Sequence, residues 1–254
     1  MNERGEVLSL VTSDIGPNPL AIVVPPLHFP DFVTMGSTPI TLPLEGGENL
    51  APVGLSVGRL RINLTTAVPW QPVPAWHNRL DLELIGAIVS NHPDFRPAVP
   101  LELAGQMQQA LRSHDQGFIA ETAGQLAGLG PGLTPAGDDF LVGVLYAVIR
   151  DRYPVSGNPI TDQGSRFTDY CSLITTAAVP RTTMLSANLL EAAGRGEASE
   201  AWHELLAVQT SEAFEISEVY KAIGRILRTG HSSGSDALLG FLMALKSGFP
   251  FSRE

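Results

Sequence analysis

One pattern occurs twice in this chain. Gly137–Ala147 reads GDDFLVGVLYA, Gly234–Ala244 reads GSDALLGFLMA, and the shared positions spell G-x-D-x-L-x-G-x-L-x-A. In each copy a glycine and an alanine stand four apart, Gly143 with Ala147 and Gly240 with Ala244. That spacing puts both on one face of a helix. Small side chains there clear a flat stripe along which a second helix can approach closely. The pattern therefore predicts two helices that pack on each other, with the Gly-rich loops before them side by side.

The residues around the helix starts have two readings. Thr134 followed by Pro135 suits an N-cap and a first-turn proline. Ser233 and Asp236 have the spacing of a capping box, and an aspartate in the first turn suits the positive end of a helix. On the structural reading these residues only cap, and the glycines only pack. On the functional reading the two starts gather Thr134, Asp138, Asp139, His231, Ser232, Ser233 and Asp236 into one region, with Gly132, Gly137 and Gly234 in the same loops. Free N–H groups from two helix starts make an anion site. Aspartates turned inward would instead suit Mg²⁺, a hard cation that takes carboxylate oxygens. Capping does not require the second aspartate, Asp138, and that tips the pair towards function. Asp138, Asp139, His231 and Asp236 are the catalytic candidates. Gly132, Thr134, Gly137, Ser232, Ser233 and Gly234 are the substrate-binding candidates.

A second candidate cluster follows Pro180. Arg181 precedes Thr182, Thr183 and Ser186, and an Arg fork beside hydroxyls suits a carboxylate or phosphate. Arg181 and Thr182 join the substrate-binding set; a capped, solvated helix start is the alternative. Of the six histidines only His231 lies inside a motif, and none shows zinc spacing. GLGPGLTPAG lacks the Lys-Ser/Thr ending of a P-loop, and no G-x-S-x-G elbow is present.

The chain divides in texture near Trp76. Up to that point Pro and Gly abound, the runs VLSLVT, LAIVVP and VGLSVGRLRINL lean to β structure, and EGGEN and PWQPVPAW read as turn and linker. After it, apolar residues recur at helical spacing, beginning with HNRLDLELIGAIVSNH, where Asn78 is a fair N-cap, and PLELAGQMQQALRSH. The expectation is an α+β protein: an antiparallel β domain over 1–76 and a helical domain over 77–254, with Trp70 and Trp76 covering the seam between them.

A formal charge of −10 without a Lys/Arg cluster argues against a nucleic-acid surface. The single cysteine, Cys171, excludes an intrachain disulfide framework and reads as a small buried hydrophobe. The N-terminus has no signal-peptide apolar region, and the apolar run from Phe140 to Ile149 is too short to cross a membrane. A soluble cytoplasmic protein is expected.

With these motifs in view, the chain resembles a bacterial family that shares a GLGPGLTPxGDD block and a later GHSSG block followed by Asp, here Gly128 to Asp139 and Gly230 to Asp236. The family includes the H subunit of the oxamate carbamoyltransferase of allantoin degradation, a step of purine catabolism, once labelled a carboxylase. The resemblance covers the helical part. It departs at Ser235, where an aromatic is expected, and that bears on the substrate. It implies a complex that moves a carbamoyl group between carbamoyl phosphate and a small amide or ureido acid, with companion subunits, one of them similar to acyl-CoA synthetases. The resemblance carries no catalytic assignment residue by residue; from the residues themselves, no nucleic-acid or membrane partner is expected and no cofactor is assigned, with Mg²⁺ on the aspartates the open alternative. Three readings stand: a carbamoyltransferase subunit, a non-catalytic assembly or ligand-binding subunit, and, as a weaker third, a Mg²⁺-dependent hydrolase using Asp138, Asp139 and Asp236.

Overall fold

The computed structural model describes residues 7–12, 15–24, 54–57, 60–65, 67–76, 80–151, 164–208 and 215–247. The chain forms two units, one of residues 1–17 and 21–71, the other of residues 18–20 and 72–254. No described helix is long and apolar enough to cross a membrane.

The first unit holds the described strands: β1 (Ser9–Thr12), β2 (Ala21–Val24), β3 (Gly54–Val57) and β4 (Leu60–Asn63). They lie in the three β-leaning runs. β3 and β4 pair antiparallel, with Leu55 opposite Ile62. β1 and β2, however, pair parallel, with Ser9 opposite Ala21 and Thr12 opposite Val24, which corrects the wholly antiparallel expectation. After β1 the N–H groups of Ile15 and Gly16 fold back onto the Thr12 carbonyl at 3.1 and 3.3 Å. Asn18 then accepts the Leu20 N–H at 3.0 Å. These turns bring the chain back in its original direction. β-propensity carries no sign of strand direction. The EGGEN turn at 45–49 lies outside the described residues.

The second unit is helical: α1 (Leu82–Asn91), α2 (Leu101–Ser113), α3 (Gln116–Leu126), α4 (Ala136–Asp151), α5 (Gly164–Ala178), α6 (Met184–Gly194), α7 (Glu200–Val208), α8 (Ile216–Leu227) and α9 (Ser233–Lys246). Caps set several starts. Asp81 accepts the Leu84 N–H at 2.9 Å and begins α1. Asn78, the residue expected there, lies outside the described residues. Asp115 accepts the Phe118 N–H at 3.0 Å to begin α3, just after His114 ends α2 in the left-handed conformation (φ 56°).

α4 and α9 are the middle of this unit. Nearly every residue of α4 and most of α9 are buried, as helices apolar on most sides require. α3, α5 and α6 cover α4, while α1, α2 and α8 cover α9. The two central helices meet backbone to backbone. A Cβ on Gly143 would overlap the Ala237 carbonyl, and a Cβ on Gly240 would overlap the Phe140 carbonyl. Phe140 and Ala237 are themselves equivalent positions of the repeat, so the contact is reciprocal, as across an approximate two-fold axis.

The duplication extends into the preceding turns. Leu129 N–H bonds to the Leu126 carbonyl (3.0 Å) and Gly137 N–H to the Leu129 carbonyl (3.0 Å). In the second copy Thr229 N–H bonds to Ile226 (2.9 Å) and Gly234 N–H to Thr229 (3.0 Å). Cβ atoms on Gly137 and Gly234 would overlap the carbonyls of Leu126 and Ile226. Each repeat is thus a helix, a tight crossing and a second helix, and the first has the longer loop.

Trp76 belongs to the core of the second unit, which corrects its expected place at a seam. It is 1 % exposed and donates to the Gly196 carbonyl at 2.8 Å. Its ring lies 5.2 Å from that of Tyr146, which meets Trp202, which meets Phe241. A burial of this size needs a partner for the indole N–H, and the turn after α6 supplies it.

Candidate functional site

The loop of residues 128–135 is held from three sides. At its base Gly128 (φ 72°) donates its N–H to Asp138 Oδ1 at 2.9 Å. Farther along, the Leu133 carbonyl accepts Thr183 Oγ1 (2.5 Å) and Ser186 Oγ (3.3 Å) from the start of α6. Next to it Thr134 Oγ1 lies 3.3 Å from Ser233 Oγ of α9. The starts of α4 and α9 therefore do meet, and through Thr182 the second cluster joins them, since its hydroxyl donates to Asp138 Oδ2.

The three aspartates are all buried, and each sits differently. Asp138 has both oxygens engaged, on Gly128 and Thr182, and ties the loop to the segment before α6. Asp236 is 0 % exposed, and its Oδ1 accepts the N–H groups of Ala98 (2.8 Å) and Val99 (2.9 Å). This corrects the capping-box expectation: Ser232 is the N-cap of α9 and makes no side-chain cap bond. Asp236 instead serves the extended segment ahead of α2, where Pro97 and Pro100 break any regular pairing. Asp139 is 8 % exposed, with Thr134 and Ser233 beside it.

Burial shifts these carboxyls. Asp139 is pushed up from 3.8 to about 7, chiefly by loss of solvent, with Asp236 and Asp138 adding repulsion and the hydroxyls of Ser233 and Thr134 pulling the other way. Asp236 is raised as well by burial, against the pull of the Val99 and Ala98 N–H groups and of Ser232. Asp139 Oδ2 and Asp236 Oδ2 are both buried without a hydrogen-bond partner among the described residues. Such orphan acceptors are costly in a folded protein, and they mark places where a donor belongs.

The remaining candidates are placed as follows. Gly137 and Gly234 are buried at the two crossings, where close approach to a carbonyl excludes any Cβ. Gly132 is exposed at the loop tip with φ 101°, a conformation that suits glycine. His231 is exposed, without a hydrogen bond among the described residues. Arg181 is exposed, and its guanidinium covers Gly124 and donates to the Gly124 carbonyl at 3.2 Å.

Sequence reasoning missed the segment of residues 94–99. It is fastened to α9 by Asp236 and by buried Ser235, whose Oγ accepts Arg96 N–H at 3.0 Å and donates to the Asp94 carbonyl. The signal was the pair of N–H groups between Pro97 and Pro100 that no helix or strand could satisfy. Among the described residues no three His, Cys, Asp or Glu side chains are grouped to hold a metal ion.

No solved structure matches the chain. Residues 126–245 match the family model described as oxamate carbamoyltransferase subunit AllH. The match runs from the end of α3 through α9 and takes in both copies of the repeat.

Proposed function

We propose that this chain, which matches the AllH family model over residues 126–245, is a subunit of a carbamoyltransferase complex acting on a small amide or ureido acid such as oxamate, and that its site lies where α4 and α9 begin. The observation that carries the reading is Asp139: a buried carboxyl with a pKa of about 7, beside the hydroxyls of Thr134 and Ser233. A group that titrates near the working pH is suited to take and return a proton.

In the proposed reaction the acceptor nitrogen attacks the carbamoyl carbon of carbamoyl phosphate. The new N–C bond forms as the C–O bond to phosphate breaks, and phosphate leaves with the bonding electrons. The proton shed by the nitrogen goes to the Asp139 carboxylate. The hydroxyls of Thr134, Ser232 and Ser233 orient the acceptor. N–H groups of the 128–135 loop and Arg181 at its exposed rim receive the anionic groups. His231 is a second proton carrier at the edge, Asp236 sets the charge beside Asp139, and Asp138 with Thr182 holds the loop. Gly132, Gly137 and Gly234 let the backbone come close. Companion subunits, one resembling an acyl-CoA synthetase, complete the complex.

A second reading, an assembly subunit, draws on Leu133 and Met184. Leu133 is 73 % exposed at the loop tip and Met184, beside its hydrogen-bond partner Thr183, is 49 % exposed. The test is reconstitution with the companion subunits, with and without Mg²⁺. Asp139→Asn should assemble normally and lose about a hundredfold or more in turnover, the scale of lost acid–base catalysis. Unchanged turnover would move the chain to the assembly reading, and turnover that needs only this chain and Mg²⁺ would favour the hydrolase.

A further inference from the structure

We infer that the paired starts of α4 and α9 hold the amino end of an amide: Asp139 Oδ2 and Asp236 Oδ2 accept the two N–H groups of one primary amide or ureido nitrogen, so the innermost part of the site selects N–H donors over carboxylate or phosphate. This rests on the proposed transferase reading and adds which end of the acceptor points inward.

Asp139 and Asp236 are equivalent positions of the repeat, brought together by the reciprocal contact of Gly143 and Gly240. Both carboxyls are more than nine-tenths buried, and in both the Oδ2 atom lacks a partner among the described residues. Asp236 Oδ1 already accepts two backbone N–H groups, so its orientation is set without a ligand. The site thus presents two buried acceptors without partners, beside the hydroxyls of Thr134 and Ser233, which bond each other. A primary amide nitrogen offers two N–H donors, which matches two acceptors. A carboxylate or phosphate offers only acceptors and adds negative charge beside Asp138, Asp139 and Asp236. The nitrogen so held is the one that loses its proton on carbamoylation, and Asp139 is in place to receive it.

The test is calorimetric binding to the full chain of three probes: oxamate; oxalate, of nearly the same shape, in which oxygen replaces the NH₂; and N,N-dimethyloxamate, which has no N–H and is bulkier by two methyl groups. Oxamate should bind at least about tenfold more tightly than either, as expected where a site built to accept hydrogen bonds meets a ligand without the donor. Asp236→Asn keeps Oδ1 for Ala98 and Val99 but puts a donor where Oδ2 stood, and it should abolish the preference for oxamate; Asp139→Asn is the companion variant should the first not fold. Equal binding of the three probes, no binding of oxamate, or a preference that survives both variants would overturn the inference. If the probes bind alike while Asp139→Asn still stops turnover of the complex, the orientation falls and the transferase reading stands. If the N–H preference holds and turnover ignores Asp139→Asn, the reverse is true.

Discussion

Gly143 of α4 lies against the Ala237 carbonyl of α9 with no room for a methyl group, and Gly240 repeats the contact on Phe140. Gly143→Ala or Gly240→Ala must push the two central helices apart. Each should destabilise the protein by about 1–3 kcal/mol or more, the cost of overpacking a rigid core, read as a lower urea midpoint. The double variant should cost less than the sum, because the first methyl already opens the seam that the second would occupy.

The Asp139 carboxyl makes stability depend on pH. The folded chain keeps this proton up to about pH 7, whereas the unfolded chain releases it near 3.8. Between those values the folded state binds more protons, so its stability falls as pH rises, and levels off above about 7. The full span is on the order of 4 kcal/mol as a ceiling, and the raised carboxyl of Asp236 acts in the same direction. Urea denaturation at pH 5 and pH 8 reads this. Asp139→Asn should flatten the difference and should be the more stable protein at pH 8; an unchanged slope would mean that the proton is held elsewhere.

Asp138→Ala should behave in the opposite way. It leaves the Gly128 N–H and the Thr182 hydroxyl without their acceptor. The cost should be about 1 kcal/mol, that of stranding half-buried donors. Hydrogen exchange at Gly128 should speed up, while the pH slope set by Asp139 keeps its sign and shrinks somewhat as the Asp138 repulsion is lost.

Ser235→Ala removes both links between α9 and the chain at Asp94 and Arg96. A loss of about 1–2 kcal/mol is expected, with faster amide exchange at Arg96. Ala98 and Val99 should stay protected, since Asp236 still holds them.

Much of this was legible in the residues. Apolar periodicity located the helices because it reflects which face is buried. The glycine–alanine spacing announced the α4–α9 contact because only small residues permit it. The meeting of Thr134 with Ser233 followed from that contact. The use of Asp138 and Asp236 was not legible. Asp236 serves backbone N–H groups far away in sequence, Asp138 serves the base of its own loop and the hydroxyl of Thr182, and an aspartate near a helix start looks the same whether it caps its own helix or anchors another segment. Strand direction in β1 and β2 failed for a related reason: the turn around Gly16 and Asn18 decides it, not the strands. Trp76 was misplaced because a proline-rich stretch reads as linker even where its last residue is a core side chain.

The reciprocal seam has a consequence for any shortened form of the chain. A fragment ending between α4 and α8 would carry one half of a self-matching surface, with Gly143 bared and no α9 to cover it. Two such fragments could satisfy each other as α4 and α9 do now. Truncation would then yield a dimer in place of a monomer, with Asp139 from each molecule facing its twin.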